Sequence, residues 1–137
     1  MRCVSNNRIL LIDVNKVSRL NITSALKDAS FTVITAGTFA RGRAKMLRVD
    51  PDLIILSEDF GLTKRLSILD RLIHLTEAPL IVVGTDKSEV TSLLLAGADA
   101  YMMKPVNIGE LLARIRSLLR RAKVHVHPRE DSDSKML

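Results

Sequence analysis

The chain alternates between two patterns of apolar residues from residue 8 to residue 122, and these patterns predict five strands and five helices. Short runs rich in Leu, Ile and Val indicate buried strands, whereas longer segments with apolar residues three and four positions apart indicate helices. The predicted strands are 8–12, 31–36, 53–56, 80–83 and 100–103, and the predicted helices are 15–29, 38–49, 63–75, 86–96 and 107–122. This alternation predicts an α/β fold, a doubly wound parallel sheet with right-handed crossovers and helices on both faces.

Local signals mark the helix ends and the helix faces. Asn15 is a predicted N-cap, and Gly97 stands where a left-handed C-cap is expected. Gly42 weakens the second helix, because Gly in a helix interior costs about 1 kcal/mol. Apolar residues recur at helical spacing in the first helix, at Val17, Leu20, Ile22, Ala25 and Leu26. In three other helices the apolar residues are predicted to face the core. They are Phe39, Ala40, Ala44, Met46 and Leu47 in the second helix, Leu66, Leu69, Leu72 and Ile73 in the third, and Ile108, Leu111, Leu112, Ile115, Leu118 and Leu119 in the last.

The sequence divides into a leader, one domain and a tail. A chain of 137 residues suits a single domain that buries its apolar surface without disulfides, and Cys3 is the only cysteine. We predict a leader at 1–7, the folded domain at 8–122, and a linker or flexible tail at 123–137, which is polar, non-periodic and interrupted by Pro128. No apolar run is long enough for a membrane span and no signal-peptide core is present, so we predict a cytoplasmic protein with no membrane partner.

Charge and aromatic content narrow the classes of partner. The net charge is +6, and aromatic residues make up only 3% of the chain, which argues against a surface for single-stranded nucleic acid. Basic residues crowd the last helix, where they form either a solvated face or a contact with an acidic partner, nucleic acid included. These residues are Arg114, Arg116, Arg120, Arg121 and Lys123.

Ser57 ends the third predicted strand, at a position where an α/β protein places its chemistry. Ligands bind at the carboxyl ends of parallel strands, and a carboxylate there could hold a metal or accept a phosphoryl group. A serine hydroxyl without a general base does neither readily.

Several segments together resemble a response-regulator receiver domain. They are Asp13 after the first strand, the third strand from Pro51 to Leu56, and the stretch Gly97-Ala98-Asp99-Ala100-Tyr101-Met102-Met103-Lys104-Pro105. The last helix, from Glu110 to Arg121, is similar to that of receivers in the winged-helix (OmpR/PhoB-type) transcription-factor subfamily. The resemblance covers residues 8–122 and implies the flavodoxin-like, CheY-like (βα)5 fold.

The resemblance also implies a phosphorylation pocket, and this sequence departs from it. Family receivers hold a divalent ion with two acids after the first strand, phosphorylate an Asp after the third, and carry a Thr or Ser after the fourth and a Lys before a cis-proline after the fifth. Here Val14 replaces the second acid, Ser57 the acceptor and Gly84 the hydroxyl residue, and Gly61 replaces a loop proline. The implied degenerate pocket consists of Asp13, Val14, Ser57, Gly84, Thr85 and Lys104, with Tyr101 at the position of the family's switch aromatic.

These departures predict a pseudo-receiver that is not an enzyme and has no cofactor. Mg²⁺ usually requires one or more carboxylates, so a lone Asp13 predicts weak or absent binding. We interpret Asp13 and Lys104 as a structural ion pair rather than remnants of an active site, and Tyr101 as a fixed surface aromatic rather than a switch. Glu58 and Asp59 are interpreted as solvent-facing loop charges, with a displaced acidic site as the alternative. His74 is interpreted as a cation near the C-terminal end of a helix, and His125 and His127 as tail residues that do not form a metal site.

Three hypotheses for function follow. The first is a regulatory module that acts without phosphorylation, by homodimerisation or by binding a protein, and that precedes an output domain through which alone DNA would be contacted. The second is a receiver still phosphorylated on Ser57, Glu58 or Asp59, and the third is nucleic-acid binding by the last helix. In the winged-helix subfamily the dimer face comprises the fourth helix, fifth strand and fifth helix, which implies a face here at Val90, Leu94, Asp99, Ala100, Glu110, Arg114 and Arg121.

Overall fold

The computed structural model describes residues 7–57 and 61–126, with side chains as far as residue 122. The strands are β1 (Arg8–Asp13), β2 (Thr32–Ala36), β3 (Leu53–Ser57), β4 (Leu80–Gly84) and β5 (Ala100–Met103). The helices are α1 (Lys16–Asp28), α2 (Phe39–Val49), α3 (Leu62–Leu75), α4 (Val90–Leu95) and α5 (Ile108–Val126), and a 3₁₀ turn at Lys87–Glu89 precedes α4. The predicted alternation of strands and helices is confirmed.

The strands form one parallel sheet in the order β2-β1-β3-β4-β5, with helices on both faces. Side chains of β1 alternate between two cores: Ile9 and Leu11 pack on the side of α1 and α5, and Leu10 and Ile12 on the side of α2, α3 and α4. Because both faces of the strand are covered from Ile9 to Ile12, all four of these positions are apolar, which explains the continuous Leu-Ile run in the sequence. The doubly wound fold class is therefore confirmed.

Two predicted helix boundaries are wrong. The segment 86–96 is not one helix, because Asp86 caps a 3₁₀ turn before a six-residue α4 begins at Val90. The last helix continues to Val126, past its predicted end at residue 122, so the first residues of the predicted linker are helical. Most of the predicted leader and the rest of the predicted tail lie outside the described residues.

The buried face of α2 also differs from its prediction. Ala40, Ala44 and Leu47 are exposed, and the core-facing positions are instead Gly42 and Met46, with Phe39 half-buried. The cause is the close packing of α2 on β1, since a Cβ added at Gly42 would lie 2.5 Å from Ile12 Cδ1. The helix therefore contacts the sheet through Gly42, and in this orientation Ala40, Ala44 and Leu47 face solvent. In α1 and α3 likewise, Val17, Leu20 and Ile73 are exposed although they share the helical spacing of buried neighbours.

Candidate functional site

The implied pocket residues come together at the carboxyl edge of the sheet. Asp13 and Ser57, far apart in sequence, are direct partners in the register of β1 and β3. Gly84 ends β4, and its carbonyl accepts a hydrogen bond from the backbone N–H of Lys104 at 2.9 Å. Parallel strands all present their carboxyl ends at the same edge, so this convergence follows from the topology.

Asp13 is fully buried and only partly satisfied. Its Oδ1 accepts a hydrogen bond from the backbone N–H of Asn15 at 2.9 Å and lies 3.9 Å from Lys104 Nζ. The predicted ion pair is present, but its separation exceeds hydrogen-bond range. Asp13 Oδ2 is buried and has no hydrogen-bond partner among the described residues.

Ser57 is equally buried, and its Oγ also has no hydrogen-bond partner in the described part of the chain. Two orphaned oxygens on adjacent strands carry a desolvation penalty, since an unsatisfied buried polar group costs about 1–3 kcal/mol. Neither Asp13 nor Lys104 makes a hydrogen bond to this hydroxyl, so no base among the described residues is positioned to take its proton.

The donors present do not fit Mg²⁺. The ion prefers octahedral oxygen coordination with carboxylate ligands. Val14, at the implied position of the second acid, is exposed and offers no oxygen from its side chain. Across residues 7–57 and 61–122, no group of three or more His, Cys, Asp or Glu side chains is arranged to hold a metal ion.

Tyr101 occupies the space that a side chain at residue 84 would need. Gly84 is buried, and a Cβ built on it would lie 2.6 Å from Tyr101 Oη and 3.3 Å from Cζ. The hydroxyl donates a hydrogen bond to the carbonyl of Asp86 at 3.0 Å, while Thr85 is exposed. The ring of Tyr101 is half-buried and packs on the core of α2, α3 and α4, so it lies at the surface with one side against the core, and its interpretation as a fixed aromatic rather than a switch stays a prediction.

A buried ion pair between Arg65 of α3 and Glu89 of the 3₁₀ turn fixes the connection from β4 to α4. Asp86 completes this connection, since its Oδ1 accepts hydrogen bonds from Ser88 Oγ at 2.7 Å and from the backbone N–H of Ser88 at 2.9 Å. These bonds hold the pKa of Asp86 below its ordinary value of 3.8, and the positive charge of Arg65 lowers that pKa further. Sequence reasoning missed Arg65, although its spacing from Leu69 and Leu72 places it on their buried face.

The implied dimer face, which we call the α4–β5–α5 face, is defined by Val90, Leu94, Asp99, Ala100, Glu110, Arg114 and Arg121. Leu94 is 42% exposed and Val90 half-buried, whereas Ala100 is only 5% exposed and adds little apolar surface to the face. Asp99 is partly committed within the domain, because its Oδ2 accepts a hydrogen bond from the backbone N–H of Leu80 at 2.8 Å.

Charges of both signs border the same face. Glu110 Oε2 lies 3.6 Å from Arg114 Nη2 one helical turn away, and both side chains are half-exposed. A shallow depression of about 320 Å³ passes between α5 and the start of β5, and it is lined by Asp99, Ala100, Glu110, Ala113, Arg114, Ser117, Leu118 and Arg121.

The remaining sequence candidates are distributed as follows. His74 lies in the last turn of α3 as predicted, with its Nδ1 2.7 Å from the carbonyl of Asp70. The arginines of α5 at residues 114, 116, 120 and 121 are exposed. The side chains of Lys123 and His125 lie outside the described part of the chain, as do Glu58, Asp59 and His127.

Curated relatives are transcription regulators that this chain matches over about half their length. KDP operon transcriptional regulatory protein KdpE of Escherichia coli (strain K12) is 34% identical over 124 residues, which cover 88% of this chain and 54% of that protein. DNA-binding dual master transcriptional regulator RpaA of Synechocystis is 31% identical over 120 residues, covering 83% and 49%. No protein-family model matches the chain.

Solved structures of receiver domains have the same fold as this chain. A CheY-like receiver domain protein from Methanospirillum hungatei JF-1 superposes with a TM-score of 0.80 at 28% identity, covering 88% of this chain and 99% of that one. The receiver domain of the respiratory response regulator TorR gives a TM-score of 0.76 at 26% identity, covering 84% and 98%. Among the described residues no helix has the length and apolarity needed to cross a membrane. The chain therefore contains a receiver domain of the response-regulator family, homologous to those of OmpR/PhoB-type regulators.

Proposed function

We propose that this domain is a pseudo-receiver that regulates through protein contact, without phosphorylation. The observation that carries the proposal is Ser57, which stands at the implied acceptor position with a buried hydroxyl that has no hydrogen-bond partner in the described part of the chain. The family's reaction needs a carboxylate nucleophile and a metal that neutralises charge on the transferred group. In this pocket a serine stands at the acceptor position and Asp13 is the only one of the two implied metal-binding acids retained, so the domain is proposed to have no enzymatic activity.

The second support is Tyr101, which is held over Gly84 by packing and by its hydrogen bond to Asp86. Tyr101 belongs to β5, the central strand of the α4–β5–α5 face. Protein contacts alone therefore fix the aromatic side chain behind this face, and no phosphoryl group is needed to hold it there.

The α4–β5–α5 face is the proposed site of homodimerisation. It combines exposed Leu94 with charges of opposite sign at Glu110 and Arg114, so a two-fold axis would bring complementary groups together. Apolar burial contributes about 25 cal/mol per Å² and tolerates imperfect geometry, whereas exposed ion pairs contribute only about 0–1 kcal/mol each. The apolar contacts are proposed to supply most of the affinity.

The whole protein is proposed to be a cytoplasmic regulator. The chain spans 54% of KdpE and 49% of RpaA, both transcription regulators by name, which supports a further output domain. Contact with DNA would belong to that output domain.

The proposal predicts that Mg²⁺ with beryllofluoride changes nothing. Tyr101 is the only tyrosine and the chain has no tryptophan, so intrinsic fluorescence reports on this side chain alone. We expect unchanged fluorescence and unchanged sedimentation mass, and no added mass after incubation with acetyl phosphate. The double variant Val14→Asp/Ser57→Asp, which restores the implied acids, is the matched control and is expected to gain Mg²⁺ binding. A covalent phosphoryl adduct on the natural chain would contradict the proposal.

Leu94→Glu tests the dimer face. A charge at the centre of an apolar contact is expected to weaken self-association at least tenfold, as measured by the concentration dependence of sedimentation. Leu47→Glu on α2 is the matched control, because Leu47 is also exposed and lies on a different face. Equal weakening by both variants, or a natural chain that is monomeric at every concentration, would contradict self-association through this face.

A further inference from the structure

A second surface feature is a cavity of about 640 Å³ between α1 and the connection from β5 to α5. It shares no lining residue with the α4–β5–α5 face. Small-molecule sites have volumes of roughly 300–1,000 Å³, so one small ligand would fill it. The lining residues are Asn15, Val17, Ser18, Asn21, Ile22, Lys104, Pro105, Val106 and Ile108.

The cavity has an apolar floor and an open rim. Ile22 is buried and Val106 and Ile108 are half-buried, whereas Val17 at the rim is 67% exposed. Because buried and exposed side chains line the same cavity, the cavity extends from the surface toward the core of the domain. Because two thirds of the Val17 side chain is exposed, a ligand in the cavity would remove apolar surface from water, which favours binding.

Among the described residues that line the cavity, Lys104 is the one with a charge. Its Nζ lies 3.9 Å from Asp13 Oδ1, too far for a hydrogen bond, and 17% of its side chain is exposed, so a ligand can reach its ammonium donors. At the rim, the neighbouring Val14 carries no charge, and the one described carboxylate near Lys104 is Asp13, which is buried behind the ammonium group and forms an ion pair with it. Asn21 adds an exposed amide, which can donate to or accept from a bound molecule.

We propose that this cavity binds a small amphipathic carboxylate, with its apolar body on Ile22, Val106 and Ile108 and its carboxylate hydrogen-bonded to Lys104. Asn15 and Asn21 interrupt the apolar surface at the rim, which favours a compact molecule over the long continuous groove that a partner helix would require. The site lies beside the degenerate pocket and uses the one cation retained there. Occupancy does not depend on dimerisation or on the absence of phosphorylation.

Octanoate, octanol and acetate test the proposal by amide chemical-shift titration of the 137-residue chain. Octanoate is expected to give saturable shifts confined to the cavity lining at millimolar concentration. Octanol keeps the apolar body and lacks the anion, so its affinity should be about tenfold lower, which corresponds to about 1.4 kcal/mol for one charge-assisted hydrogen bond. Acetate lacks the apolar body and should give no saturable shifts.

Asn21→Trp fills the cavity from its exposed rim and is expected to abolish octanoate binding. Leu20→Trp is the matched control, because Leu20 is exposed on the same helix and does not line the cavity. Absence of saturable shifts with octanoate, shifts spread over the whole surface, or equal loss of binding in both variants would overturn the site. Equal affinity for octanoate and octanol would overturn the anionic ligand class. Each readout is independent of the Mg²⁺ and sedimentation experiments.

Discussion

Replacing Arg65 with Met is expected to lower the free energy of unfolding by about 3–5 kcal/mol, because the buried carboxylate of Glu89 loses the guanidinium group that it pairs with. Only 11% of the Glu89 side chain is exposed, so water restores little of the lost interaction. Urea unfolding followed by circular dichroism measures the change. Hydrogen exchange of residues 86–95 gives a second readout, since the ion pair joins the 3₁₀ turn before α4 to α3.

The double variant Arg65→Met/Glu89→Leu separates charge from packing. Replacing a buried ion pair by apolar residues of similar volume is often neutral or stabilising. We therefore expect the double variant to recover most of the lost stability, with faster hydrogen exchange in α4 if the pair serves to orient the connection. Arg71→Met is the matched control in the same helix, because Arg71 is exposed and its loss should change stability by about 0.5 kcal/mol or less. Equal losses from Arg65→Met and Arg71→Met would contradict the assigned role.

The fold was predictable because the sequence periodicities are set by burial. A strand segment covered on both faces is apolar at successive positions, as residues 9–12 of β1 are, and Gly97 at the end of α4 has a φ of 123°, which favours glycine. The meeting of Asp13 and Ser57 was predictable too, since both end parallel strands.

Tertiary contacts set the features that the sequence did not predict. Gly42 faces the core because β1 approaches α2 closely there, and a helical pattern of apolar residues carries no information about that distance. Arg65 and Glu89 are 24 positions apart, and their pairing depends on how α3 packs against the start of α4. Tyr101 packs over residue 84, where the absence of a side chain leaves room for it, and this relation between two strands is contained in neither strand alone.

Restoring the family's hydroxyl at residue 84 is expected to destabilise this domain. In Gly84→Thr the new Cβ would lie 2.6 Å from Tyr101 Oη, so the ring must leave its site and its hydrogen bond to Asp86 is lost. Overpacking costs about 1–3 kcal/mol and the hydrogen bond contributes about 1 kcal/mol, against a gain of about 1 kcal/mol in strand propensity. We expect a net loss of about 1–3 kcal/mol in the free energy of unfolding and a changed tyrosine emission in the folded protein.

A double-mutant cycle with Tyr101→Phe tests whether the cost of Gly84→Thr comes from the steric overlap between the new side chain and the Tyr101 hydroxyl. The closest atom to the new Cβ is the tyrosine hydroxyl, and the next, Cζ, is 3.3 Å away, so Gly84→Thr should cost about 1–2 kcal/mol less in the Tyr101→Phe background. Gly61→Ala is the matched glycine control, since a Cβ there meets no atom of the described residues within 4 Å, and it should leave stability and emission unchanged. Additive effects of Gly84→Thr and Tyr101→Phe would mean that Tyr101 is not held by the space at residue 84. Strong coupling between the two substitutions, together with weaker self-association of Gly84→Thr, would mean that the absence of a side chain at residue 84 is needed to hold Tyr101 and the α4–β5–α5 face in place.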